Sequence, residues 1–154
     1  MDLPAIRETR IERQQLFARI SAAFARRDFD AVAEAMRPDL ELTLRGSSWL
    51  AGKYVGIEEF FQYVAGAAAV LSPTDGQLSY IHDGDDMTVV HEFVVGGGPS
   101  AVTMALHEVF TFDDEGMIAS LLIRPWNQAK FDEAANALLV RSSAGPLVSR
   151  DARR

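Results

Sequence analysis

The chain is 154 residues long, enough for one domain with a real core, and its 48 % hydrophobic and 24 % charged residues exclude a disordered chain. A net charge of -7 argues against a nucleic-acid surface, which needs clustered Lys and Arg. With no cysteine there can be no disulfide, thiolate metal site or cysteine nucleophile.

The opening residues, Met1-Asp2-Leu3-Pro4, lack the basic and apolar regions of a signal peptide. The most apolar stretch, 64–71, is too short for the roughly 30 Å of a bilayer, so a cytoplasmic protein with no membrane contact is expected. Phe17, Ile20 and Phe24 share one face of a helix over 6–27. The arginines of that helix (Arg7, Arg10, Arg13, Arg19, Arg26, Arg27) are mixed with Glu8, Glu12 and Asp28 and read as a solvated face. Asp28 is placed to cap a short second helix with Phe29, Val32 and Met36 inward and Pro38 ending it. Leu40, Leu42 and Leu44 alternate with Glu41, Thr43 and Arg45 as a half-buried strand, and 49–54 returns as its short partner. A third helix starts after Gly56, with Ile57, Phe60, Phe61, Val64 and Ala68 in helical period, and stops at Ser72-Pro73.

The second half reads as an antiparallel meander over 77–82, 87–95, 101–112 and 117–126. Its separators are turn sequences: Asp83-Gly84-Asp85, Gly96-Gly97-Gly98-Pro99 and Asp113-Asp114-Glu115-Gly116. A C-terminal helix carries Phe131, Ala134, Ala135 and Leu138 on one face, and 141–154 is expected to be a frayed tail after a single domain over 1–140. Helices first and hairpins second is an α+β pattern. A twelve-residue strand would span about 40 Å, so strong twist or a bulge is expected, with a concave face that three helices cap only in part.

Three stretches resemble the nuclear transport factor 2-like superfamily, in its SnoaL-like and ketosteroid-isomerase-like branch. They are Asp28-Phe29-Asp30-Ala31-Val32 with Met36-Arg37-Pro38-Asp39, Leu50-Ala51-Gly52-Lys53-Tyr54-Val55-Gly56-Ile57, and Phe110-Thr111-Phe112 with Gly116-Met117-Ile118. Their order and spacing match over about 13–139. The resemblance implies a cone-shaped, strongly curved antiparallel sheet (a cystatin-like roll) on three N-terminal helices plus a C-terminal one, often dimeric. It does not imply one chemistry, since the fold hosts isomerases, cyclases, dehydratases, epoxide hydrolases and non-catalytic binding modules.

On the strand 101–112 the bulkier face is Val102, Met104, Leu106, Glu108, Phe110 and Phe112; on 87–95 it is Met87, Val89, His91, Phe93 and Val95. Glu108 and His91 are the polar interruptions and the candidate catalytic pair. A carboxylate between Leu106 and Phe110 would lose solvation, which suits a general acid or base. A turn centred on Gly96–Gly98 would pair His91 with Met104 and Glu108 with Met87, leaving about 13 Å between them; they would then not form a directly bonded dyad. Trp49, Tyr54, Tyr63, Met87, Val89, Met104, Phe110 and Leu121 are the expected substrate-binding wall, and Trp126 is a candidate to close the base of the cone.

By the resemblance, Glu108 stands where ketosteroid isomerases carry a protonated aspartate, while their base falls near Leu44 (or Ser47 with a shifted gap) and their helix-one tyrosine at Ile20. Steroid isomerisation by that mechanism is therefore not expected. The aspartate of SnoaL-like aldol cyclases has no counterpart, and for epoxide-hydrolase chemistry the nearest arginine, Arg124, falls on the opposite face. Asp83, Asp85 and Asp86 lack the spacing of a calcium loop, the His-Glu pairs at 91–92 and 107–108 lack a second histidine, and the Gly96 turn joins two strands; no metal and no cofactor are expected. The convex face (Val90, Val94, Ala101, Ala105, Val109, Ile118, Leu122 with Thr88, Thr103, Thr111, Ser120) is too apolar to meet only water, and a homodimer through it is expected. The expected activity is a cofactor-independent cyclase, isomerase or dehydratase on a hydrophobic small molecule; the alternative is a binding module that holds such a ligand without turnover.

Overall fold

A computed structural model describes the backbone of residues 2–142 and the side chains of 2–138. Helix α1 (Leu3–Ala25) starts at Asp2, whose side chain accepts from the Ala5 N–H, and buries only its second half through Phe17, Ile20 and Ala23. Arg27, at φ 60, breaks the helix, and Asp28 caps α2 (Phe29–Glu34) by accepting from Ala31 N–H. This helix is shorter than expected: Met36 and Pro38 belong to strand β1 (Met36–Leu44). Pro38 is not a helix stop but sits where β1 pairing shifts register, between Met36 and Glu41, because proline has no N–H to give a ladder.

Strand β2 (Gly52–Val55) returns along β1 and leads into α3 (Gly56–Val70), which buries Phe60, Tyr63 and Val70. The remaining strands are β3 (Leu71–Pro73), β4 (Ser79–Asp83), β5 (Asp86–Val95), β6 (Val102–Phe112) and β7 (Ile118–Pro125), followed by α4 (Gln128–Ser142). Residues 143–154 of the expected tail lie outside the described residues. No helix among the described residues is long and apolar enough to cross a membrane.

The sheet runs β2-β1-β7-β6-β5-β3, with β4 also on β5, and curls into a half-barrel with the helices packed on it. It is mixed rather than wholly antiparallel, because β1 pairs with β7 in parallel, Leu42 beside Leu121 and Leu44 beside Ile123. A register shift in the β6–β7 pair sets Phe112 opposite Ile118 but Thr111 opposite Ser120. The extra residue turns Ile118 into the core at 2 % exposure, against its expected place on the convex face. Trp126 also departs from expectation: it is 77 % exposed, on the outer side beside His107, and closes nothing.

The link from β1 to β2 is held by α4. Asp132, buried against the loop, accepts from Ser47 N–H (3.0 Å), Ser48 N–H (3.1 Å) and Gln128 Nε2 (3.1 Å). Asn136 accepts from Trp49 N–H, and the Trp49 indole donates to the Ala135 carbonyl, both at 3.0 Å. Gly46 permits this approach: at φ +122 a Cβ would meet Gln128 and Asp132 side-chain atoms at 2.4–2.7 Å. Consecutive backbone N–H groups are thus spent on one carboxylate, and Asp132→Ala would orphan them. Urea denaturation should show that variant roughly 2–3 kcal/mol less stable; a loss below about 0.5 kcal/mol would mean that the tie carries no weight.

Candidate acid–base site on the concave face

Glu108 projects from β6 between Leu106 and Phe110, and its cross-strand neighbours on the inner face are Val89 and Ile123. Leu44 continues the row beyond Ile123, so the carboxylate lies in an apolar stripe. His91, on β5, is opposite Leu106 and therefore diagonal to Glu108. His91 Nδ1 comes within 3.6 Å of Glu108 Oε1, with the two side chains 21 % and 17 % exposed. The imidazole leans on Phe93, ring centroids 4.1 Å apart, which restricts its plane.

This corrects the expected separation of the two groups. The β5–β6 pairing joins His91 to Leu106 and Glu108 to Val89, not to Met104 and Met87. A register two residues away keeps the same residues inward, because the side-chain period is two. It also removes about 7 Å of separation and makes the pair direct neighbours.

Tyr63 reaches the same region from α3. It is 5 % exposed, and its ring meets Tyr54 edge-on with centroids 5.3 Å apart. The Tyr54 hydroxyl donates to the Leu50 carbonyl at 2.7 Å. Burial pushes the Tyr63 phenol above its ordinary range, and the negative charge of Glu108 and then Tyr54 add to this. Tyr63 therefore keeps its proton and is a donor.

Of the other residues expected on the wall, Met87, Val89, Met104, Phe110 and Leu121 are all buried. Phe110 lies under Phe17 of α1, centroids 5.7 Å apart, and Phe17 also meets Tyr80. Trp49 packs toward α4, where its indole proton is committed. Arg124 pairs with His107 on the outer face, away from Glu108. Among the described residues no cluster of three His, Asp or Glu side chains is placed to hold a metal ion.

A further inner-face group, His82, was not singled out from the sequence. It pairs with Met87, and its Nε2 lies 2.9 Å from Gln14 Nε2 of α1. Its Nδ1 is enclosed and, among the described residues, has no hydrogen-bond partner. Burial lowers its pKa below the ordinary value, with Arg10 and Arg13 adding to the effect. Its alternation with Tyr80 was legible in the sequence; the contact with Gln14 was not, because it spans α1 and β4.

A family model described as a SnoaL-like domain matches residues 17–121. Among solved structures the chain is similar to an NTF2-like protein from Burkholderia xenovorans LB400, at 16 % identity and TM-score 0.70 over 81 % of this chain and 96 % of that one. It is similar to a putative polyketide cyclase from Xanthomonas campestris pv. campestris, at 14 % identity and TM-score 0.62 over 82 % and 98 % of the two chains. A steroid delta-isomerase from Pseudomonas aeruginosa matches at 18 % identity and TM-score 0.56, over 86 % and 92 %. At these identities the likeness is one of fold. No curated protein matches the chain.

His82 yields a pH dependence whose sign follows from its lowered pKa. As pH falls through the ordinary value of 6.5, the unfolded chain takes up a proton at His82 before the folded chain does, so folding stability declines. Denaturation at about pH 7.5 and about pH 5.5 should show a smaller decline for His82→Gln than for the wild type. Equal declines would remove His82 as the cause.

Proposed function

The chain belongs to the SnoaL-like domain family, and from that footing we propose that it is an acid–base enzyme of cyclase, isomerase or dehydratase type acting on a hydrophobic small molecule. The observation that carries this reading is the contact of His91 Nδ1 with Glu108 Oε1 at 3.6 Å, set in an otherwise apolar stripe of the concave face. The ligand lies against the buried side chains of Met87, Val89, Met104, Phe110 and Leu121, with Trp49, Tyr54 and Tyr63 at the helix side, and the curved sheet forms its pocket. Glu108 takes a proton from the substrate or gives one to it. His91 stands one short movement away, able to accept that proton or to hold the carboxylate in place between steps. The names of the Xanthomonas and Pseudomonas structures, a putative polyketide cyclase and a steroid delta-isomerase, agree with chemistry of this class.

Steroid isomerisation by the ketosteroid-isomerase mechanism is not part of the proposal. The positions that the resemblance assigns to its base and tyrosine are Leu44 and Ile20, both apolar and buried. The working protein is proposed to be a cytoplasmic homodimer joined through the convex face, where Val90, Val94, Ala105, Val109 and Leu122 are half-buried within one chain. Light scattering should give twice the chain mass for the wild type and the single mass for Val109→Glu; a wild-type monomer at micromolar concentration would remove the dimer.

Once a turned-over substrate is in hand, Glu108→Gln should lower kcat by about 10²–10⁴-fold. Ligand affinity and thermal midpoint should stay near the wild type. Unchanged turnover would end the acid–base role, while binding that survives with no turnover in either protein would leave a ligand-holding module.

A further inference from the structure

The sheet edge beside His91 is split between two strands that do not share a register. Strand β3 ends with Pro73 opposite Phe93, and β4 begins with Ser79 opposite Val90. Residues 74–78 run between them, and the β5 positions they pass are Glu92 and His91. Thr74 continues β3, since its N–H donates to the Glu92 carbonyl at 3.2 Å. Leu78 continues β4, because the next position of that register lies opposite His91. Asp75, Gly76 and Gln77 then have no place opposite β5, and all three are exposed. The edge strand bulges at the site.

Leu78 shares the parity of Tyr80 and His82, on the inner side, and is half-buried against the core. An apolar side chain therefore flanks His91 from a segment that has no strand ladder of its own. That segment is tied down at Thr74, on Glu92, whose parity is that of the outer face. The Thr74 hydroxyl donates to Glu92 Oε1 at 2.9 Å and accepts from the Gly76 N–H at 3.1 Å. Swinging Leu78 outward breaks an exposed side-chain tie and no strand pairing, so this stretch opens more readily than the strands beside it. The groups behind it are not sealed, with the His91 and Glu108 side chains 21 % and 17 % exposed. We propose that residues 74–78 form a door in the edge of the sheet, with Leu78 as its inner leaf beside His91 and the Thr74–Glu92 bond as its latch, through which a ligand reaches the concave site. This rests on the reading of His91 and Glu108 as the site, but it concerns access and not proton transfer.

Access can be read without a substrate. Diethylpyrocarbonate acylates imidazole nitrogens that it can reach, and the chain has 3 histidines, His82, His91 and His107. Mass-spectrometric mapping of the full chain therefore gives each histidine its own rate. Thr74→Val should raise the His91 rate about fivefold, the effect of one lost hydrogen bond on a local opening. Thr74→Ser keeps the hydroxyl and should keep the wild-type rate. Leu78→Ala should also speed His91, and in every variant His82 and His107 should react as in the wild type. An unaltered His91 rate in either Thr74→Val or Leu78→Ala, a Thr74→Ser variant as fast as Thr74→Val, or a rise shared by all the histidines would each overturn the door. Faster His91 labelling in Thr74→Val with full turnover in Glu108→Gln would keep this inference and reject the acid–base reading; the reverse pattern would do the opposite.

Discussion

The pairing of β5 with β6 is the constraint from which the rest of the molecule takes its geometry. The ladder runs without interruption from Asp86 opposite Thr111 to Val95 opposite Val102. A slip of one residue would send Glu108 and His91 to the convex face, and a slip of two would keep them inward but part them. The register is pinned at both ends. At one, Thr111 Oγ1 donates to Asp86 Oδ1 at 3.0 Å. At the other, Gly96 N–H donates to the Val70 carbonyl at 2.8 Å, and the Gly96 backbone passes so close to Ala134 that a Cβ there would meet its carbonyl oxygen at 2.8 Å.

Around that ladder the helices divide the inner face. The second half of α1 covers the Phe110 end through Phe17, α4 lies at the Val95 end, and α3 packs on β1. Glu108 and His91 stand between these covers, and among the described residues the ion-pair partner of Glu108 is His91 of the neighbouring strand. Setting a carboxylate and an imidazole on an apolar wall does not favour folding. The fully buried Leu40, Leu42, Leu44, Leu106 and Phe131 supply the apolar burial that offsets it.

The structural relatives agree with this chain in backbone at TM-scores of 0.56–0.70 while sharing 14–18 % of residues. The curved sheet is therefore kept through wide change in sequence, and the fold does not fix one chemistry. On the inner face of this chain Glu108 and His91 interrupt the apolar rows, and apolar Leu44 and Ile20 stand at positions where the resemblance places reacting groups in another branch.

Local pattern was enough for much of this. The alternation of Leu40, Leu42 and Leu44, the period of Phe17 and Ile20, the Asp28 cap and the glycine turns are nearest-neighbour signals, and they determined the α+β class, the strands and the inward parity of Glu108 and His91. Parity depends only on whether a residue number is odd or even along a strand, so it survives an error of two in register. What the tertiary structure alone decided are the relations between distant segments. These are the parallel union of β1 with β7, the bulge that turns Ile118 inward, the Asp132 tie to Ser47 and Ser48, and the two-residue register that brings His91 to Glu108. Each is settled by packing against a third element, such as α4 against Gly96 and Gly46, and no stretch of sequence carries the shape of its neighbours.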